Sequence, residues 1–284
     1  MNSIKGVGIA GAGVMGAGIA YCSAIAGYEV LLFDTRREAL EKGLLYIRKE
    51  LEKAQAKGKL TAEQVESSLQ RIRLCEKAED LVADLIIEAV IEKLEVKQDL
   101  FRTLESVNSK DTILATNTSS IPVTRIASAL QYPERFAGIH FFNPAHLMKL
   151  VEVIAGARTN HETLENSRAF AESLGKTVVI AQDAPGFIVN RVARHYYVEA
   201  LKILEEDVAG FEAIDRLMES SGFRMGPFRL MDLIGVDTNY SVTESMYNLF
   251  SQDGKFRPSR IQKQKVDAGL HGRKSGEGFY RYEP

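Results

Sequence analysis

The sequence predicts an α/β domain joined to a smaller all-helical domain, and three observations predict it. An apolar run, Val7-Gly8-Ile9-Ala10, leads directly into the glycine-rich stretch Gly11-Ala12-Gly13-Val14-Met15-Gly16. Strand-like and helix-like segments then alternate through the first two thirds of the chain. Past Ala184-Pro185-Gly186 the strand signal fades and helical periodicity takes over. Alternation of this kind implies a parallel sheet covered on both faces. The Pro-Gly pair reads as a hinge or linker, dividing the chain into residues 1–184 and 185–284.

The first strand, turn and helix have the spacing of a phosphate-binding fingerprint. The first glycine permits the turn, the second lets backbone approach a pyrophosphate, and the third lets the helix pack on the strand. An alanine-rich helix over residues 14–26 follows, then a short strand from Glu29 to Phe33 that ends at Asp34. An acid about 20 residues past the turn is placed to bind a ribose hydroxyl pair. The N-terminal domain is therefore read as a Rossmann-like dinucleotide-binding domain. A long charged helix runs from about Glu38 to Ala56, and Lys57-Gly58-Lys59 makes a polar turn before a helix from Ala62 to Gln70. Next come a strand over Asp84–Ala89, a helix over Leu94–Val107 and a strand over Thr112–Ala115. A helix over Val123–Leu130 and strands near Phe136–His140 and Leu150–Ile154 complete the pattern. From Phe187 onward, Ile188, Val192, Tyr196, Leu201 and Leu204 trace one apolar helical face, so the C-terminal domain is read as all-α.

Composition narrows the function. Lys plus Arg is 36 against 38 for Asp plus Glu, a net charge of −2, which argues against a nucleic-acid binder. The two cysteines, Cys22 and Cys75, lack any metal-ligand or disulfide spacing and read as core fillers, so no metal is expected. No secretory leader, transit helix or apolar run of membrane-spanning length stands out, and a cytoplasmic protein is the expectation.

Ligands of open α/β sheets bind beyond the carboxyl ends of the strands, and several polar residues fall there. His140 ends an apolar strand and reads either as a hydrogen-bonded rim residue or as an acid/base group. Glu152 lies inside the apolar run Leu150-Val151-Glu152-Val153-Ile154. Burying an unpaired carboxylate costs several kcal/mol, so either Glu152 faces water at an edge or it has a partner, for which His140 is suited. Ser119 and Ser120 follow a strand in a polar loop; Ser120 is read as a helix cap, Ser119 as a donor to a substrate oxygen. Asn190, early in the first helix of the second domain, reads as a donor to a carbonyl or as a solvated residue. Lys49, Lys53 and Lys57 share a helix face, as charges paired with Glu50 and Glu52 or as phosphate contacts. Lys97 and Lys274, taken alone, read as solvated charges.

The chain resembles the short-chain L-3-hydroxyacyl-CoA dehydrogenases of the 3-hydroxybutyryl-CoA dehydrogenase type, from residue 4 to about residue 281. The resemblance is carried by Gly11–Gly16, Asn117-Thr118-Ser119-Ser120, His140-Phe141-Phe142-Asn143-Pro144, Leu150-Val151-Glu152-Val153, Pro185-Gly186-Phe187-Ile188-Val189-Asn190-Arg191, Met225-Gly226-Pro227 and Gly272-Arg273-Lys274-Ser275-Gly276. It implies an NAD-dependent enzyme that interconverts (S)-3-hydroxyacyl-CoA and 3-ketoacyl-CoA, in fatty-acid oxidation or butyrate-type synthesis. His140 would be the general acid/base, Glu152 its orienting partner, and Ser119 and Asn190 the substrate contacts. Gly11, Ala12, Gly13, Val14, Met15, Gly16 and Asp34 would hold the cofactor, with Glu92, Lys97, Ser119, Asn143 and Lys274. Lys53 and Lys57 would face the phosphates of coenzyme A. Asp34 would favour NAD by repelling a 2′-phosphate, although Arg36 and Arg37 leave NADP use open. A homodimer through the helical domain is also implied, with Met246, Tyr247, Leu249 and Phe250 as apolar candidates. One departure is Ala145-His146-Leu147, where relatives usually carry a proline after the alanine; His146 is expected near the site but peripheral to it. Two competing readings are a sugar-acid 3-dehydrogenase of the L-gulonate type and a non-catalytic NAD-binding protein.

Overall fold

The computed structural model describes residues 4–283. The chain forms two compact units that divide after Ala184. In the first, β1 (Gly6–Ala10), β2 (Glu29–Phe33), β3 (Ile72–Cys75), β4 (Leu85–Glu88), β5 (Ile113–Thr116), β6 (Phe136–Phe141), β7 (Leu150–Ala155) and β8 (Thr177–Gln182) make one eight-stranded sheet. Its order is β3-β2-β1-β4-β5-β6-β7-β8. The first six strands run parallel, which is why they are near-continuous apolar runs: both faces are covered. Val7, Ile9, Leu32, Ile86, Ile87 and Leu114 are wholly buried.

The helices follow from their apolar spacing. In α1 (Val14–Ile25) small residues let the helix lie close to the sheet; a β-carbon on Gly18 would stand 3.1 Å from that of Ala145. In α2 (Arg37–Ala56) Leu40, Gly43, Ile47, Leu51 and Ala54 form the buried stripe. A capping box, Thr61 with Gln64, starts α3 (Ala62–Gln70). Phe101 and Leu104 anchor α4 (Leu94–Val107). The short α5 (Val123–Ala127) is capped from a distance, the Asp183 carboxylate accepting from Val123 N–H and Thr124 N–H.

Three features differ from the sequence reading. A strand at Ile72–Cys75 pairs with β2 at the sheet edge. A helix, α6 (His161–Ser173), and the edge strand β8 lie beyond the strands that were read. The sheet is not parallel throughout: β7 runs antiparallel to β6, and β8 parallel to β7.

The second unit contains α7 (Val189–Glu205), α8 (Phe211–Ser220), α9 (Pro227–Ile234), α10 (Val236–Leu249) and α11 (Arg260–Asp267). Its core joins Tyr197, Leu201, Ile214, Phe228, Met231 and Phe279. The apolar periodicity picks the buried face of α7 only in part: Leu201 is interior and Tyr196 and Leu204 pack against the core, but Val192 is 68% exposed and Ile188, just before the helix, 40%, while Arg194, Tyr197 and Val198 are interior. Arg194 is admitted because its guanidinium lies over the Tyr197 ring and donates to Asn239 O and Thr243 Oγ1. Met246, an apolar candidate for a partner surface, is wholly buried. No helix among the described residues is long and apolar enough to cross a membrane.

Candidate active site

The glycine stretch forms the turn that its spacing predicts. Gly11 has φ +107°, and a β-carbon there would stand 2.6 Å from Ala89 O. At Gly16 a β-carbon would stand 1.7 Å from Gly11 O, so only glycine lets the helix start pack on the turn. Gly13 has nothing within 4 Å of the same position and opens onto free space. Gly13 is also the N-cap of α1, which has no side-chain cap and no acid in its first turn. A helix start in that state attracts an anion.

Asp34 anchors the same turn. Its Oδ2 accepts from Ala12 N–H and its Oδ1 from Arg36 N–H, both at 3.0 Å. A cleft of about 540 Å³ lies against Gly11, Gly13, Asp34 and Arg36, with Ile91 and Val96 as apolar wall. A space for phosphate at a bare helix start, an acid at the end of β2 and an apolar slot together fit a dinucleotide.

A charged cluster fills the ends of β4 and β5. Glu88, the last residue of β4, is wholly buried and accepts from Lys97 Nζ, from Thr116 Oγ1 at 2.7 Å and from Val90 N–H at 2.7 Å. Lys97 reaches Glu92 as well, at 3.1 Å. The Oε1 of Glu92 accepts from Thr118 Oγ1, Ser119 N–H, Ser120 N–H and Ser120 Oγ. Lys97 is 1% exposed, so it is not a solvated charge. Ser120 is not a helix cap either: Thr118 Oγ1 accepts from Ile121 N–H, and Ser120 turns to Glu92. Burial pushes the Glu88 carboxyl up, against the pull of Lys97. Burial also pushes Glu92 up, but the Lys97 charge and the Thr118 and Ser119 hydrogen bonds outweigh it and hold that carboxyl below its usual range.

His140 and Glu152 are direct cross-strand partners in the antiparallel β6–β7 pair. Residues opposite each other on such a pair point to one face, about 5 Å apart at their β-carbons. The side chains meet: His140 Nδ1 lies 2.7 Å from Glu152 Oε2. They are 5% and 1% exposed, so Glu152 does not face water. Asn117 Oδ1 accepts from Phe141 N–H at 2.8 Å, tying the serine loop to the end of β6. Because β1, β4, β5 and β6 are parallel, the glycine turn, the Glu92 cluster and His140 all lie at the carboxyl ends of these strands.

The remaining candidates are more exposed. Asn143 is exposed just past β6. Lys53 and Lys57 lie near the end of α2, and Lys53 Nζ donates to Glu50 Oε1 at 2.6 Å. In the second unit, Asn190 lies half-buried in the first turn of α7, and Lys274 Nζ is 2.7 Å from the Asp237 carboxylate. The sequence alone gives no role to Glu88, Thr116, Asn117 or Thr118, although Asn117 and Thr118 belong to a motif that carries the resemblance. Glu88 carries a signal like that of Glu152, a carboxylate against an apolar run, Leu85-Ile86-Ile87-Glu88.

Residues 6–184 match the family model described as 3-hydroxyacyl-CoA dehydrogenase, NAD binding domain, and residues 186–282 match the model of the C-terminal domain of the same enzymes. The chain belongs to the 3-hydroxyacyl-CoA dehydrogenase family. This is the family that the motifs resemble, and its N-terminal domain is of the NAD-binding Rossmann type. The chain is 48% identical over 282 residues to the 3-hydroxyadipyl-CoA dehydrogenase of Escherichia coli, covering 99% of this chain and 59% of that protein. It is 43% identical over 281 residues to the 3-hydroxybutyryl-CoA dehydrogenase of Bradyrhizobium diazoefficiens, covering 98% of this chain and 96% of that one. The crystal structure of the (S)-3-hydroxybutyryl-CoA dehydrogenase of Ralstonia eutropha is similar over 99% of this chain and 100% of its own, with a TM-score of 0.95 and 38% identity.

Proposed function

We propose that the chain is an NAD-dependent oxidoreductase that interconverts (S)-3-hydroxyacyl-CoA and 3-ketoacyl-CoA, with short acyl chains such as acetoacetyl-CoA as substrate. The observation that carries this reading is the buried contact between His140 and Glu152 at the strand ends that also hold the glycine turn. An ionised carboxylate can only accept, so Glu152 keeps the ring proton on Nδ1 and leaves proton exchange to Nε2. In oxidation, His140 takes the proton of the 3-hydroxyl, and Glu152 stabilises the imidazolium that results. In reduction, the charged ring returns the proton to the 3-keto oxygen. The nicotinamide, when bound, exchanges the hydride with C3. Ser119 and Asn190 hold the reacting oxygen and the thioester region, and Asn143 and Lys274 serve the cofactor. Lys53 and Lys57 meet the phosphates of coenzyme A as mobile point charges. A homodimer through the helical unit belongs to the same reading, with the half-buried Tyr247, Leu249 and Phe250 as its remaining apolar candidates.

The test is NADH oxidation followed by absorbance with acetoacetyl-CoA, then a series of longer and acid-terminated 3-ketoacyl-CoA substrates. Turnover is expected, with free coenzyme A competing against the acyl substrate. No oxidation with any of them overturns the reading. Turnover of a free sugar acid, with coenzyme A inert, favours the L-gulonate type.

Cofactor choice supplies a second check. Asp34 lines the cleft as an anion, which disfavours a 2′-phosphate, while Arg36 is 80% exposed beside it. Asp34→Ser is expected to lower kcat/KM for NADH about tenfold and to raise it for NADPH. An unchanged ratio of the two removes Asp34 from cofactor selection.

A further inference from the structure

His146 is more deeply built in than a loop residue needs to be. It follows β6 by five positions and its side chain is 10% exposed. Its two ring nitrogens meet two residues one turn apart on α2: Nδ1 is 3.1 Å from Tyr46 Oη, and Nε2 is 3.3 Å from Glu50 Oε2. The neutral ring with its proton on Nε2 satisfies both, accepting from the tyrosine hydroxyl and donating to the carboxylate. Burial lowers the tendency of this ring to charge, against the pull of Glu50. The Tyr21 ring of α1 stands edge-on at 5.5 Å. The backbone beside it is fixed too: Lys176 Nζ donates to Ala145 O at 2.6 Å and to Met148 O at 2.9 Å.

Glu50 divides its two oxygens. One faces His146 and the other accepts from Lys53 Nζ at 2.6 Å. The contacts therefore run from the loop after His140, through one imidazole and one carboxylate, to the ammonium of the lysine face. An exposed Glu–Lys pair alone contributes little. Here one member is held by a buried partner, so the lysine is oriented before any ligand arrives, which lowers the entropy lost on binding.

We propose that His146 is a positioning residue for coenzyme A: it fixes Glu50, and through it Lys53, setting the cationic face of α2 relative to the strand end that carries His140. This rests on the reading of Lys53 and Lys57 as phosphate contacts. His146 touches neither substrate nor cofactor in this role.

The test compares the full-length protein with its His146→Leu and His146→Gln variants. Calorimetric titration gives the Kd for coenzyme A, and steady-state kinetics compare acetoacetyl-CoA with acetoacetyl-pantetheine, which lacks the nucleotide phosphates. His146→Leu is expected to raise the Kd for coenzyme A and the KM for acetoacetyl-CoA about fivefold, the net scale of one ordinary hydrogen bond. The kcat on acetoacetyl-CoA and the kinetics with acetoacetyl-pantetheine stay as in the parent. Glutamine can both accept and donate, so His146→Gln recovers most of the loss. If coenzyme A binds His146→Leu as tightly as the parent while Lys53→Met weakens it, the positioning role is overturned and the phosphate reading stands. If the double variant Lys53→Met, Lys57→Met keeps the parent Kd, the phosphate reading fails first and takes this proposal with it. An equal loss with acetoacetyl-pantetheine places the effect on the His140 loop and also overturns the proposal.

Discussion

Replacing His140 with alanine is expected to lower kcat about 10³-fold, within the range for loss of a general acid/base. The same change removes the imidazole contact of Glu152, which is 1% exposed. Loss of one hydrogen bond to a buried carboxylate destabilises the fold by an amount on the order of 1–3 kcal/mol. Alanine therefore mixes chemistry with stability, and glutamine separates them. His140→Gln keeps a donor for Glu152 and loses the proton exchange, so it should melt near the parent temperature and still be slow. Glu152→Gln should cost about 10²-fold in kcat, because the ring keeps a partner but loses the charge that stabilises imidazolium. The double variant should be little slower than His140→Gln, since the glutamate acts only through the imidazole. Measured kcat and melting temperature for the four variants decide the matter. Near-parent turnover in His140→Gln would end the acid/base assignment, and additive losses would give Glu152 a separate part.

What the sequence could say about this site depended on where each charge sat. Glu152 was legible because a carboxylate in the middle of Leu150–Ala155 has nowhere polar to go on a covered sheet. Glu88 carries a related signal, a carboxylate at the end of the buried run Leu85–Glu88. Lys97 was not legible, because a lysine on a helix is solvated in most settings, and only the buried acid behind it reverses that. The same blindness affected α7, where Arg194 occupies a core position that apolar counting skips. Elements with strong local signals were read to within a residue or two, as in Glu29–Phe33, Ala62–Gln70 and Leu94–Val107. Ile72–Cys75 is interrupted by an exposed arginine at an edge, and Thr177–Gln182 is mostly exposed, so neither shows a buried run. The reversal at β7 follows from length. Only residues 142–149 join it to β6, too few for the crossover a parallel neighbour requires. That reversal makes His140 and Glu152 opposite neighbours, and so it is part of the chemistry.

Lys97→Met is expected to destabilise the protein by about 3–5 kcal/mol at neutral pH, the cost of leaving buried charge without its counter-charge. Glu88 and Lys97 are both out of solvent, and Glu92 leans on the same ammonium. Removing both members of the inner pair should hurt less than removing one, so adding Glu88→Gln to Lys97→Met is expected to recover part of the loss. The pH dependence has a definite sign. Burial already pushes Glu88 up, and without Lys97 only the hydrogen bonds from Thr116 and Val90 oppose it. A carboxyl whose folded pKa lies above its unfolded value penalises the fold above that pKa, and the penalty fades as pH falls through it. The deficit of Lys97→Met should therefore shrink from pH 8 towards pH 5 in denaturant titrations, and that of the double variant should change less. A flat deficit across that range would mean that Glu88 is not the charge left stranded. A loss under about 1 kcal/mol would mean that water reaches the cluster and the pair is not holding this end of the sheet.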